Sequence, residues 1–168
     1  MWRNDNAIDF NQFGDIRKLL GTEEFSAPQL DFKKMTGELA VCSWYKYANL
    51  VNIDINDQLL RLKDNSIINR CLAHELCHEA EYRLFWYPQL AVLAKEFATS
   101  KNEEVAKQGY EEFNNLMDKT SHGPQWQKYA DMVNAIYGPN YVTKTSDKSY
   151  DLTFADRKWY QIWKKRTL

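Results

Sequence analysis

Apolar and polar positions follow three different patterns along this chain, and the patterns lay out its elements in order. Ile8, Phe10, Phe13, Ile16, Leu19 and Leu20 recur at helical spacing ahead of Gly21, which predicts a first helix over residues 6–20 with Gly14 as its weak point. Beyond Pro28, extended segments are expected at 29–34, 38–47 and 50–55. Val41, Cys42, Trp44, Tyr45 and Tyr47 favour a strand, while Val51, Ile53 and Ile55 alternate with Asn52, Asp54 and Asn56, the period of two that marks a half-buried strand. Together they predict a small antiparallel sheet of about three strands. One of its edges could pair with an extended peptide by strand addition.

The third pattern occupies residues 67–85, where Ile67, Ile68, Cys71, Leu72, Leu76, Cys77, Ala80 and Leu84 place apolar or small residues on nearly every side of a helix. Such a helix is buried. Asp64, Asn65 and Ser66 are its N-cap candidates. Pro88 opens a second helical stretch, 88–98, and Ser100 with Glu103 resembles a capping box for a third, 101–117, so that 88–117 reads as a helical hairpin. Residues 124–137 have Pro at the start and Gly138 just past the end, the asymmetry of a helix, with Trp126, Tyr129, Ala130, Val133, Ile136 and Tyr137 as its apolar stripe. Residues 141–154 read as irregular or extended, and 155–163 as a short helix. The class predicted is α+β, a small sheet packed with several helices.

Composition narrows the picture. At 168 residues, 44% hydrophobic with 6 Trp, 10 Tyr and 8 Phe, the chain is expected to form one folded domain over 1–168 and not a disordered segment. Its 3 cysteines include no C-x-x-C pair; Cys71 and Cys77 lie too far apart along one helix to bridge and read as core residues, so a reducing compartment is expected. Residues 1–10 are polar and charged and no apolar run approaches eighteen residues, which predicts neither secretion signal nor membrane span, and hence an intracellular protein, cytoplasmic or at the nucleoid or nucleus. The net charge of −1 is unevenly spread: residues 1–139 hold 15 Lys+Arg against 20 Asp+Glu, residues 140–168 hold 7 against 3.

Inside the buried helix stands His74-Glu75-Leu76-Cys77-His78, an H-E-x-x-H pattern. Positions i and i+4 share a helix face about 6 Å apart, so two imidazoles there can converge on one metal ion. Glu75 projects beside that ion and suits a base that takes a proton from water. A catalytic zinc site usually has three protein ligands, so one must come from outside this helix. His122, the remaining histidine, stands in a loop just ahead of a helix, where a turn can aim it across at another element. Cys71 is a poor rival, because three ligands spread along one straight helix cannot all reach a single ion. Glu103, Glu104, Glu111 and Glu112 are better rivals, giving a His2Glu site, although a solvated helix face explains them more simply.

His74-Glu75-Leu76-Cys77-His78 followed by His122-Gly123-Pro124-Gln125-Trp126 resembles the SprT-like metallopeptidase family, which includes Spartan-type proteases that digest proteins crosslinked to DNA. The run from Val51 to Asn56, leading through Leu59-Leu60 into Leu72-Ala73-His74, is similar to that family's last strand and its lead into the zinc helix. The resemblance covers residues 39–137. It implies a zincin-like fold, one zinc ion per chain held by His74, His78 and His122, a catalytic Glu75, and protein substrates that include DNA-associated or DNA-crosslinked proteins. The chain departs from the family pattern in the length of the segment between His78 and His122, so that residues 85–118 look like an inserted hairpin. The cysteine-rich zinc ribbon that follows the catalytic domain in many members has no counterpart in residues 138–168.

On that reading the activity is peptide hydrolysis, with Tyr82, Arg83 and Tyr129 as candidates for stabilising the oxyanion and Trp126 as a wall of the site, each with a plain packing role as the alternative. A zinc-containing module that binds DNA or protein without cleaving anything is the competing reading. Intact Glu75 counts against it, since a structural site needs no base. In residues 150–168, Arg157, Lys158, Lys164, Lys165 and Arg166 interleave with Trp159, Tyr160 and Trp163, a combination suited to single-stranded DNA, or else an amphipathic helix docked on the domain.

Overall fold

The computed structural model describes residues 7–143, apart from 37, 63, 100 and 101. Among these, α1 (Phe10–Leu20) is followed by strands β1 (Gln29–Lys33), β2 (Ala40–Tyr45) and β3 (Leu50–Asn56). A 3-10 turn (Asp57–Arg61) leads to α2 (Ser66–Ala80) and a π-helical segment (Glu81–Trp86). Then come α3 (Tyr87–Thr99), α4 (Glu103–Lys119) and α5 (Pro124–Tyr137). The α+β class expected from the patterns is what the chain forms. α1 starts later than its apolar spacing suggested, because the Asp9 side chain accepts the N–H groups of Asn11 and Gln12 and caps the helix there. Gly21 closes it with φ 77°, a left-handed conformation that glycine adopts without strain.

The sheet is mixed, which corrects the all-antiparallel expectation. Its order is β1-β3-β2, with β2 antiparallel and β1 parallel to the central β3. Alternation of apolar residues identifies strands but is silent on their partners, and here the chain crosses the end of β3 between β1 and β2. Asn56, fully buried at that end, holds the crossing by donating from Nδ2 to the carbonyls of Met35 (3.1 Å) and Glu38 (2.8 Å), while its Oδ1 accepts from Gln58 N–H. Val51, Ile53 and Ile55 point into the core at 3% exposure or less, as a central strand requires.

α2 is the axis of the molecule. Every residue from Cys71 to Ala80 is buried, and the helix packs against α1, α5, β2 and β3. It does not end where Pro88 suggested a break. Pro88 has no N–H to give the carbonyl of Leu84, and the chain passes this point through the wider π-helical turn, with Tyr87 N–H bonded to the Tyr82 carbonyl, before continuing as α3. α3 and α4 form the expected hairpin. Asn102 supplies the cap of α4, its side chain accepting from Glu104 and Val105 N–H; Ser100, the expected cap, lies outside the described residues. The hairpin packs around a small core of its own, Trp86, Leu90 and Phe113, joined to the main core through Trp44. At Gly109 a β-carbon would lie 2.6 Å from the tip of the Phe97 ring, so the ring rests directly on this glycine.

Burying α2 on all sides also buries its charges. Glu79, with no exposed surface, is gripped by Arg17 from α1 (Nη2–Oε1 3.1 Å, Nε–Oε2 3.2 Å) and by Arg83 (Nε–Oε1 3.2 Å). Arg17 also donates to the carbonyls of Thr22 and Phe25, and Arg83 to that of Ser26. The three side chains thereby tie the loop after α1 to the end of α2. Removing the carboxylate leaves two guanidinium groups buried without a counter-charge, so Glu79→Ala is expected to cost about 3–5 kcal/mol of stability, read as a lowered urea midpoint. A change under about 1 kcal/mol would show that the cluster is solvated and structurally idle.

Candidate metal centre

Helix geometry sets the first two side chains. His74 and His78, one turn apart on α2, are 8% and 7% exposed, with ring centroids 5.2 Å apart. The third arrives from a tight turn between α4 and α5. Thr120 caps α4 by donating its hydroxyl to the Leu116 carbonyl (2.8 Å), and Gly123 N–H turns back to the Thr120 carbonyl (2.6 Å). A β-carbon at Gly123 would sit 2.5 Å from that same carbonyl oxygen, so no other residue fits. His122, at the turn's left-handed position (φ 60°), is thrown back toward α2, and Pro124 opens α5 directly after it.

The three imidazoles meet tip to tip. His122 Nε2 lies 2.9 Å from His74 Nε2 and 3.1 Å from His78 Nε2. Trp126, fully buried one turn into α5, packs its ring on all three, with centroids 4.8, 5.5 and 4.6 Å from His74, His78 and His122. It belongs to the core and walls the site at once. At the far side of the rings, His74 Nδ1 donates to the Thr143 carbonyl at 2.8 Å, and His78 Nδ1 faces the Glu81 carboxylate at 3.6 Å. The proton held on His74 Nδ1 leaves a lone pair on its Nε2, aimed at His122, and the same tautomer at His78, whose Nδ1 makes no hydrogen bond, would aim a second lone pair at the same place. The single Nε2 of His122 can carry at most one proton and so cannot satisfy two lone pairs. A cation can. Three nitrogens each 2.0–2.1 Å from a tetrahedral zinc ion would stand about 3.3 Å apart, near the two separations made by His122, and all three donors lie within 4.8 Å of one another. These residues form a group able to hold a metal ion, and the donor set fits zinc.

Glu75 stands beside this nest, 6% exposed, its carboxylate accepting a hydrogen bond from the Cys42 backbone. Burial, reinforced by the charge of Glu38, raises its pKa to about 8 in the metal-free chain. A cation in the neighbouring nest would favour the ionised form and bring it back down. The cleft over these groups holds about 330 Å³ and runs along β2. Leu39 accepts from Asn56 N–H (2.9 Å), so odd-numbered positions of β2 bond to β3, and Ala40, Cys42 and Trp44 turn their main-chain groups to the free edge. The edge strand therefore borders the metal nest.

Of the three residues considered for an oxyanion, only Tyr82 lines the cleft, its ring stacked parallel on Trp44 at 5.4 Å. Arg83 belongs to the Glu79 cluster, and Tyr129 is buried with its hydroxyl accepting from Gln125. Cys71 lines the floor of the cleft and is not one of the three converging donors. Glu103, Glu104, Glu111 and Glu112 are exposed on α4 and none joins the histidines. Two groups escaped the sequence reading. Glu81 follows His78 at i+3, a spacing that could have revealed it; the Thr143 carbonyl is a backbone group and leaves no trace in the pattern. The basic aromatic tail, residues 150–168, lies outside the described residues. No helix among those described is long and apolar enough to cross a membrane.

No family model, curated protein or solved structure matches the chain.

Burial lowers the pKa of His74 to about 3 and of His78 to about 4, from 6.5, while it raises Glu75 to about 8 and Glu81 to about 7, from 4.5. Below pH 6.5 the unfolded chain binds protons that the folded histidines refuse, so stability falls as pH falls. Above pH 4.5 the folded glutamates hold protons that the unfolded chain has released, so stability falls as pH rises. The metal-free protein should therefore be most stable at roughly pH 5.5. Urea midpoints of chelator-treated protein between pH 4.5 and 8.5 test this; a steady rise up to pH 8 would contradict it.

Proposed function

We propose that the chain is a zinc-dependent endopeptidase of the SprT-like, zincin-related type, acting on protein substrates. The observation that carries the reading is the convergence of three imidazole Nε2 atoms, at 2.9 and 3.1 Å, with a buried carboxylate beside them under the free edge of a strand. His74, His78 and His122 would hold the ion. Zinc bound there supplies the acidity of its water and the polarisation of a carbonyl. Glu75 takes the proton from the attacking water and passes it to the leaving amine, a role its burial and its single backbone hydrogen bond prepare. Trp126 closes one side of the nest and excludes bulk water. The edge of β2 aligns an extended substrate through the main-chain groups of Ala40 and Trp44, the Cys42 amide being engaged with Glu75. The hairpin of α3 and α4 corresponds to the inserted segment, and proteins associated with or crosslinked to DNA are the substrates that the family resemblance favours.

Two substitutions separate metal binding from chemistry. His122→Ala leaves two protein ligands and should weaken zinc binding by more than the roughly 10–100-fold that loss of an outer-shell partner costs. Glu75→Gln keeps the side chain's size and should retain zinc while lowering cleavage about 10²–10⁴-fold. Elemental analysis of bound metal and cleavage of an unfolded protein test both. Undiminished cleavage by Glu75→Gln would sink the mechanism. Zinc retained without cleavage in the wild type, with and without DNA, would favour a binding module.

The edge strand makes a separate prediction. Ala40→Pro removes a donor from the free edge and none from the pairing with β3, so it should lower kcat/KM for protein substrates at unchanged zinc content. Equal kcat/KM would mean that substrate does not add to this strand.

A further inference from the structure

The carbonyl that orients His74 belongs to a stretch with no regular structure, and irregular chain does not hold a position unless something fixes it. Residues 138–143 are fixed from three helices. From α2, Arg70 donates through Nε to the Tyr141 carbonyl (3.1 Å) and through Nη2 to the Asn140 carbonyl (2.8 Å), with its guanidinium 5.7 Å over the Tyr141 ring. From α5, Asn134 takes both main-chain groups of Val142, donating to its carbonyl (3.1 Å) and accepting its N–H (2.8 Å). From α1, Gln12 donates to the Tyr141 hydroxyl (2.7 Å), while Tyr137 stacks on Tyr141 at 5.2 Å. Val142 is 3% exposed, and Asn140 reverses the chain with φ 63°. All of this ends in one catalytically relevant bond, His74 Nδ1 to Thr143 at 2.8 Å.

Arg70 and His74 are four residues apart on α2, so they rise from the same helix face one turn from each other. The helix that carries the ligand therefore also carries the anchor of the carbonyl that selects the ligand's tautomer. We propose that residues 138–143 form a strap whose task is to hold the Thr143 carbonyl on His74, and that Arg70 is a positioning residue of the metal centre acting through it. The inference rests on His74 being a zinc ligand. Without the carbonyl, the His74 proton is free to move to Nε2 and the ring to rotate, and both changes remove a lone pair from the nest.

The test compares wild type, Arg70→Ala and Arg70→Lys. Nitrogen-proton NMR of the metal-free proteins reads the His74 tautomer, and chelator competition reads zinc affinity. The wild type should show His74 as the Nδ1–H form alone. Arg70→Ala should show a mixture of tautomers and bind zinc roughly 10–100-fold more weakly, with Arg70→Lys between, since an ammonium cannot reproduce the fork to two carbonyls. An unchanged tautomer and unchanged zinc affinity in Arg70→Ala would overturn the proposal. Should Arg70→Ala fail to fold, an ester in place of the 143–144 amide weakens the same acceptor without touching a side chain, and it must produce the same two changes or the proposal falls. Absence of zinc binding by the wild type would refute the metal reading itself, while the tautomer measurement still decides whether Arg70 governs the His74 ring.

Discussion

A helix buried on every side must find an internal partner for each polar group it carries, and most of this fold answers that demand from α2. His74, Glu75, His78 and Glu79 lie on it within two turns, all under 9% exposed, with Glu81 just beyond. Left unpartnered in such a place, each would cost several kcal/mol. Instead α1 brings Arg17 to Glu79, the π-helical segment brings Arg83 and Glu81, β2 brings a main-chain amide to Glu75, and the strap after α5 brings a carbonyl to His74. Among the described residues, the Nε2 atoms of the three histidines face one another at 2.9 and 3.1 Å. Those are the atoms a divalent ion would satisfy.

Much of this was legible in the sequence, for identifiable reasons. Strand and helix positions came from periodicity, and α5 matched because Pro124 and Gly138 bracket it chemically. His74 and His78 could be paired because helix geometry fixes the distance between i and i+4. His122 was reachable as a turn residue beside a helix start, and its left-handed backbone with Gly123 folded against Thr120 explains how the turn aims it. What periodicity could not give was partnership across the chain. The parallel pairing of β1 with β3 depends on a crossing held by Asn56, a residue that reads in sequence as one more polar position of an alternating strand. Arg17 and Glu79 are 62 residues apart, and nothing local to either names the other. The Thr143 carbonyl is the extreme case, a group that every residue possesses.

The hairpin of α3 and α4 stands apart energetically. Its core is three residues, Trp86, Leu90 and Phe113, and much of its remaining apolar surface, including Val92, Val105 and Leu116, is exposed. Local opening there would disturb few contacts of the main core, so this segment is the natural low-stability end of the described structure. Its link to the cleft is aromatic. Trp44 packs on the hairpin core and on Tyr82, which in turn faces His78 at 6.0 Å, so a shift of the hairpin reaches the cleft wall through two stacked rings.

The free edge of β2 carries a liability. Ala40-Val41-Cys42-Ser43-Trp44-Tyr45 has no charge and no proline, the composition of a segment that templates strands of other copies of itself. Charges stand only at its two ends, Glu38 and Lys46, the latter tethered to Asn114 on α4. Between them, the Glu75 carboxylate occupies the Cys42 amide in the middle of the edge, interrupting the row of donors that a neighbouring chain would need. The buried carboxylate beside the three histidines thus also guards the strand edge against pairing with other chains.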